Sequence, residues 1–415
     1  MASPSEKPVA KPPPVIQPGS WLSPARVRRR LSVIRDGLTH GEVGGLPVVL
    51  GLAVIWTFFQ LQDSNFLSPR NLTNLILQIA VTGTIAIGVV LVLLLGEIDL
   101  SVGSVAGVTA AVLGVLVTVH HTAWWVGILV MLLCGLGIGV FQGTWSAVVG
   151  VPSFVVTLAG LLGWLGVQLH VLGSEGTLNV VDPTILAITT TFLPIGVGWV
   201  LVAGLAVLYG VVELTEWERR RRKRLPVGTP ASIAFRVGAV AVAAVVALLV
   251  LDAWRGVPSA GVILVALVIF FDWLSRRTKF GRYIYAVGGN AEAARRAGIN
   301  VTFIRVSVFT LSSIMAALGG LLSVSRGEAA STLTGGGTLL LEAIAAAVIG
   351  GTSLFGGRGT VWAALLGALV IGSVSNGLDL TGEPADVKYI VQGAILLAAV
   401  SLDAFSRRGR AAAGR

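Results

Sequence analysis

One cysteine in 415 residues, four histidines and 12% charged side chains are what this chain has least of. Each shortage excludes something. A lone Cys134 permits no internal disulfide and no cysteine-based metal site. His40, His120, His121 and His170 are well spread, so no metal centre is expected. Soluble domains carry about 25% charged residues, and a chain this poor in charge cannot cover a water-facing surface. Lysine is also scarce. Lys7, Lys11, Lys223, Lys279 and Lys388 are the complete set, and none follows a glycine. The phosphate-cradling G-x-x-x-x-G-K-[ST] loop is therefore missing, and with it an ATP site of that kind. The Gly-rich stretch GGTSLFGGRGT (350–360) lacks that lysine and reads as a tight turn with close helix packing.

What is present is apolar. Hydrophobic residues make up 54% of the chain and the mean hydropathy is +0.87. Apolar runs of about 17 to 25 residues have the length that crosses a ~30 Å hydrocarbon layer as helix. They show no period-2 alternation, which argues against a β-barrel. The fold class is all-α: a polytopic membrane protein of about 12 helical segments, 10–12 of them full spans. The segments are about 45–62, 75–96, 101–119, 124–149, 154–172, 192–212, 233–251, 259–274, 304–325, 339–351, 360–377 and 388–404. The tenth is short and bounded by glycine, which fits a re-entrant or tilted segment as well as a crossing.

The net charge of +10 does not point to nucleic acid, because the basic residues sit in blocks between apolar runs. With the N-terminus placed in the cytoplasm, only Arg70, Arg255, Arg326 and Lys388 of the 30 Lys and Arg fall outside. Twelve crossings put both termini inside, as the positive-inside rule demands. The expected divisions are a Pro/Arg-rich cytoplasmic tail (1–44), a transmembrane domain (45–404) with cytoplasmic loops at 213–231 and 275–303, and a basic tail (405–415). The N-terminal tail has no apolar run and so is not expected to be a signal peptide. Its stretch WLSPARVRRRLSVI is compatible with a helix lying on the membrane. GSEGTLNVVDP (173–183) and RGEAASTLTGGGT (326–338) read as polar outer loops, either ordinary solvated turns or a face for an external partner.

VGGNAEAARRAGINV (287–301) is the polar exception among apolar segments. Asn290 suits an N-cap, Ala291 to Ala297 favour helix, and Gly298 suits the position after the C-cap. Glu292 in the first turn and Arg295 and Arg296 in the last complement the helix dipole. A helix of about two turns, roughly 10 Å, is marginal alone and needs its flanks or a partner. The residues by themselves leave a surface connector and a docking helix equally open.

An ion-driven carrier keeps ionisable groups inside the membrane. Glu97 and Asp99 in GEIDLS, and Glu342, are the candidates. The first two fall at a span end, where Asp99 is expected to cap the third span rather than relay protons. LLLGEIDLSVGSVAGVTAAVLG (93–114) and AAAVIGGTSLFGGRGTVWAALLGALVIG (345–372) both run from an apolar span through a glycine break into a small-residue span. Such paired interruptions, here Glu97 and Asp99 with Gly356, Gly357 and Arg358, hint at an internal two-fold repeat and a transport path. Gly103/Gly107, Gly135/Gly139 and Gly139/Gly143 have the spacing for close helix approach. Trp124, Trp125 and Trp254 fit an interfacial belt. Gln142, Trp145, Trp164, Gln168 and Asn376 are uncharged polar or aromatic groups within spans. They are candidates for lining a path, although interhelix bonding or packing is the plainer role for each. No residue set with catalytic spacing is found.

FGRYIYAVGGNAEAARRAGINV (280–301), GEIDLSVGSVAG (96–107) and AIAAAVIGGTSLFGGRGTVWAALLGALVIG (343–372), in that family's order, resemble the membrane permeases of bacterial ABC importers for monosaccharides. The xylose type is nearest and the ribose and galactose types are neighbours; the added span pair around ERRRRKR (218–224) resembles the longer xylose form. The resemblance covers about 45–404. It implies that Gly289, Asn290, Glu292, Ala293, Arg295, Arg296 and Gly298 form a coupling helix that docks on a cytoplasmic ATPase. It further implies a second copy of the chain, a sugar-binding protein on the outer side, ATP and Mg on the partner rather than here, and residence in the bacterial inner membrane. An ion-coupled secondary carrier is the rival from another class.

Overall fold

The computed structural model describes residues 46–225 and 229–412. The expected tail at 1–44 and its surface helix lie outside the described residues. Fifteen α-helices are described: α1 (Leu46–Gln62), α2 (Pro69–Leu94), α3 (Val102–Gly114), α4 (Trp124–Thr144), α5 (Ser153–Leu172), α6 (Pro183–Thr190), α7 (Ile195–Arg222), α8 (Pro230–Asp252), α9 (Ser259–Arg277), α10 (Lys279–Gly289), α11 (Ala291–Arg296), α12 (Val301–Gly327), α13 (Leu339–Ile349), α14 (Trp362–Leu380) and α15 (Ala385–Ala412). Two-to-three-residue strands complete it. β1 (Thr177–Asn179) pairs antiparallel with β4 (Ala329–Ser331), and β2 (Phe192–Leu193) with β3 (Val257–Pro258). Among the described residues nine helices are long and apolar enough to cross a membrane. With α1, α13 and α15 they account for the twelve expected segments.

The core forms around α2 and α12. In α2 83% of the apolar window is buried, against 6% in α7 and 11% in α8, which form a peripheral hairpin. α12 packs on α2, α3 and α4. Glycine makes the last contact possible. Cβ atoms at Gly139 and Gly143 would come within 2.5 and 2.8 Å of the Cα atoms of Thr310 and Val306, so the two backbones touch. Without a hydrophobic drive inside lipid, such close packing is what holds helices together. Within the expected 213–231 segment α7 continues through Arg222, and four arginines occupy its last turn. That placement favours the helix, because the C-terminal end of the dipole attracts cations.

The 326–338 stretch is only partly a surface loop: Arg326, Gly327, Glu328, Leu333, Gly336 and Gly337 are exposed, whereas Ala330, Thr334 and Gly335 are buried. Ala330 packs against Gly114, a Cβ on which would lie 2.7 Å from the Ala330 Cβ. Gly335 packs against the backbone of Gly103 and Gly107. Gly103 and Gly114 are about 16 Å apart along α3 at 1.5 Å per residue. The segment therefore descends beside α3 before α13 begins. Eleven residues of α13 reach about 16 Å, too short to cross alone. Non-helical backbone at membrane depth needs internal partners. Here Gln168 Nε2 donates to the carbonyls of Ser331 and Thr334, both at 2.9 Å, and Ser331 N–H donates to Thr334 Oγ1 at 3.0 Å.

Candidate functional site: the 287–301 segment and a cleft between α4 and α5

The polar segment folds as its residues dictate. Asn290 Oδ1 accepts from Ala293 N–H at 2.9 Å and starts α11. Gly298 takes φ +82°, the left-handed conformation, and ends it. Gly298 N–H reaches the Arg295 carbonyl and Ile299 N–H the Ala294 carbonyl, each at 3.0 Å, which satisfies two carbonyls at the helix end. Asn300 Oδ1 then accepts from Phe303 N–H at 2.9 Å and starts α12 at once. Glu292 pairs with Arg295 at 2.9 Å and Arg296 at 3.2 Å.

Only Ala294 of α11 is buried. Gly289, Asn290, Glu292, Ala293, Arg295, Arg296 and Gly298 are all exposed. The helix is thus anchored on one small residue and presents every other polar group outward. Its approach is equally constrained. Gly288 lies against the carbonyl of Leu94 at the end of α2 and near Gly357. Tyr285 Oη donates to the Gly359 carbonyl at 2.9 Å, and Gly357 N–H to the Leu94 carbonyl at 2.9 Å. The two glycine-broken segments of the sequence therefore meet under α10. Gly356 and Gly357 have φ +81° and +69°, conformations that glycine reaches without strain. Arg358 is exposed, and its carbonyl accepts from Ser353 N–H at 3.1 Å.

Glu97 forms an ion pair with Arg305 of α12 at 2.9 Å. Asp99 does not cap α3, as was expected; Ser101 holds that position without a side-chain cap bond. Instead Asp99 is buried in the link before α3. Its Oδ1 accepts from Ser101 N–H at 2.9 Å and Ser101 Oγ at 2.6 Å, and its Oδ2 from Ser312 Oγ at 3.0 Å. Burial pushes this carboxyl above its ordinary range, and the bonds from Ser101 and Ser312 draw it part of the way back.

The five path candidates separate. Gln168 is committed to the descending backbone, and Asn376 accepts from Asn71 Nδ2 at 2.7 Å. Gln142, Trp145 and Trp164 come together in a cleft of about 380 Å³ between α4 and α5, with Phe141, Gly160 and Val167. Beyond Thr144 the helix widens into a π-turn that begins at Trp145. Such turns recur at functional sites.

A third polar cluster surrounds Glu342, in the first turn of α13. Thr338 Oγ1 (2.9 Å), Gln392 Nε2 (3.0 Å) and Ser375 Oγ (3.4 Å) donate to its Oε1, and Thr82 Oγ1 (3.4 Å) to its Oε2. Thr82 sits at the middle of α2. Thr82, Ser375 and Gln392 escaped sequence reasoning because single hydroxyls and amides in apolar helices carry no spacing signal.

Comparison with known proteins gives one family. Residues 71–400 match the family described as "Branched-chain amino acid transport system / permease component". The chain is 39% identical over 372 residues to the xylose transport system permease protein XylH of Escherichia coli (strain K12), covering 86% of this chain and 90% of that one. It is 38% identical over 375 residues to XylH of Haemophilus influenzae, covering 87% and 96%. The ribose import permease protein RbsC of Escherichia coli (strain K12) is 31% identical over 355 residues, covering 86% and 92%. No solved structure gives a significant match.

Proposed function

The chain belongs to the branched-chain amino acid transport system / permease component family, and from that premise we propose that it is the membrane subunit of an ATP-driven importer for a monosaccharide, with D-xylose first. The sugar rests on the relatives: those named for xylose are 38–39% identical and the one named for ribose 31%. The single observation that carries the coupling role is α11. Eight residues of the 289–298 stretch are exposed around one buried anchor, and α10 leans on the end of α2 and on the 350–360 link.

In this reading α11 docks on a separate cytoplasmic ATPase, which binds ATP and Mg. The end of the bundle carrying Glu97, Arg277 and Arg305 faces the cytoplasm with both termini, and the β1–β4 and β2–β3 pairs face outward. A sugar-binding protein delivers cargo to the outer face, and a second copy of the chain completes the path in the inner membrane. Closure of the ATPase pulls on α11. The pull passes through Asn300 into α12, through Gly288 to Leu94, and through Tyr285 to Gly359. No bond of the sugar is made or broken. The ATPase drives the change only if it binds the inward-open and outward-open forms with different affinity.

Labelled xylose uptake into proteoliposomes holding the chain, its ATPase and its binding protein tests this. Uptake should require internal ATP and survive an ionophore. Uptake indifferent to ATP and abolished by the ionophore would replace this reading with an ion-coupled carrier.

A further inference from the structure

We propose that the α4–α5 cleft is a binding site for a neutral hydroxylated ring, a pentose, on the path through the membrane; this rests on the permease reading above. Three features support it. The first is chemistry of the wall. Every residue lining the cleft is uncharged. A zwitterionic amino acid would need counter-charges there, since an unpaired charge in a low-dielectric site is costly. A sugar needs none.

The second feature is aromatic. Phe141 lies 5.2 Å from Trp145 and 6.1 Å from Trp164, centroid to centroid, the latter pair edge to face. The three rings offer apolar faces to the C–H side of a sugar ring, and a few placed polar groups then fix orientation.

The third is a pair of unspent polar groups. Gln142 is 1% exposed, yet its Nε2 has no partner, and neither has Trp164 Nε1. Both border the same spot. A Cβ built on Gly160 would lie 2.8 Å from Gln142 Nε2 and 3.1 Å from Trp164 Nε1. The other amide atom of Gln142, Oε1, sits 2.9 Å from Ser101 Oγ, so the side chain is held from behind. Ser101 has one hydroxyl proton, and Asp99 Oδ1 at 2.6 Å also claims it. Whichever way the amide is turned, one of its polar atoms lies beside Trp164 Nε1 at Gly160, buried just behind the cleft wall that these three residues form. An acyl chain offers these groups neither donor nor acceptor. A hydroxyl, which donates and accepts, answers both.

The test uses the complete assembly in proteoliposomes and two variants. Gly160→Ala places a methyl between the two polar groups while favouring the helix, so lost helicity cannot explain lost transport. Trp164→Phe keeps an aromatic ring and removes the N–H. Initial uptake of xylose, ribose and arabinose is measured beside ATP hydrolysis and recovery of the assembly. The expected result is a fall in xylose uptake of roughly tenfold or more for Gly160→Ala and several-fold for Trp164→Phe, on the scale of a lost buried hydrogen bond. The ratio among the sugars should shift, with assembly and ATP hydrolysis retained. Wild-type rates and ratios in both variants would overturn the site. So would a uniform loss for all sugars accompanied by loss of assembly, which marks a structural role. A wild-type assembly that moves none of these sugars would sink the permease reading itself, and this site with it.

Discussion

Gly288 and Leu94 meet so closely that a Cβ on the glycine would run into the leucine's carbonyl oxygen, the same oxygen that accepts from Gly357 N–H at 2.9 Å. Gly289, one residue on, has open space and an ordinary φ. The two neighbours should therefore respond in opposite ways. Gly288→Ala should push α10 off the base of α2 and cost about 1–3 kcal/mol, the usual range for overpacking. Gly289→Ala should be silent or slightly stabilising. Thermal unfolding of the purified variants in detergent checks this, and equal melting points for the two would refute it.

Glu292, Arg295 and Arg296 are more than half exposed, so their ion pairs contribute little to the fold, about 0–1 kcal/mol. If α11 is a docking helix, Glu292→Ala with Arg295→Ala should leave the melting temperature nearly unchanged and sharply reduce both ATP-dependent uptake and retention of the ATPase on the purified chain. Retained ATPase binding and uptake would assign α11 to the surface connectors.

Part of this architecture was legible in the residues and part was not. Hydropathy placed all twelve apolar segments because apolar length is a local property. It stopped at 212, ten residues before α7 ends, because a helix can continue through charged residues once they reach water. It missed the eight-residue α6 and the amphipathic α10, which lack apolar length. The caps at Asn290 and Gly298 were readable because capping is local too. The descent of 329–338 was not. It depends on Gly103, Gly107 and Gln168, far away in sequence, and its own composition resembles that of any polar turn. The same limit explains why five path candidates divided three against two. Polarity marks a residue as unusual, but only packing decides whether its bond goes to a neighbour or stays unspent.

Gln168 holds the descending backbone by donating to two carbonyls. Gln168→Leu removes both donors from a place where water cannot substitute. A loss of about 1–3 kcal/mol per stranded carbonyl is expected. Gln168→Glu should be as damaging, because an ionised carboxylate accepts and cannot donate. Proteolysis at 329–338 in the folded protein gives the readout: faster cleavage in both variants is expected. Unchanged cleavage would mean that Gly103 and Gly107 hold the segment without help.

Glu342 is the residue on which the ion-coupled rival depends. Its carboxylate lies beside the midpoint of α2, and intramembrane carboxylates often bind ions. All four donors around it, Thr82, Thr338, Ser375 and Gln392, are neutral, which is also how a carboxylate would join four helices. Glu342→Gln separates the two roles. Under the permease reading, uptake stays ATP-driven and falls by less than roughly threefold, since the amide keeps one acceptor oxygen. Wild-type uptake that an ionophore collapses and that Glu342→Gln abolishes would favour the rival.

The cleft makes a demand on its surroundings. Its rim includes Phe141, Trp145, Val155 and Val167, all substantially exposed, so a sugar held there would face lipid unless another surface covered it. A second copy seated on α4 and α5 would supply that cover. The α7–α8 hairpin is still more exposed, but its outward residues are aliphatic and aromatic along most of its length, such as Val200, Val207, Phe235 and Val242, and lipid satisfies them fully. Cysteines introduced in a Cys134→Ser background distinguish the faces. Val155→Cys and Val167→Cys should join two copies through a short thiol-reactive linker in native membranes, and Val242→Cys should not. Cross-linking through Val242 alone would put the second copy on the hairpin, leave the cleft open to lipid, and remove the cover that a bound sugar requires.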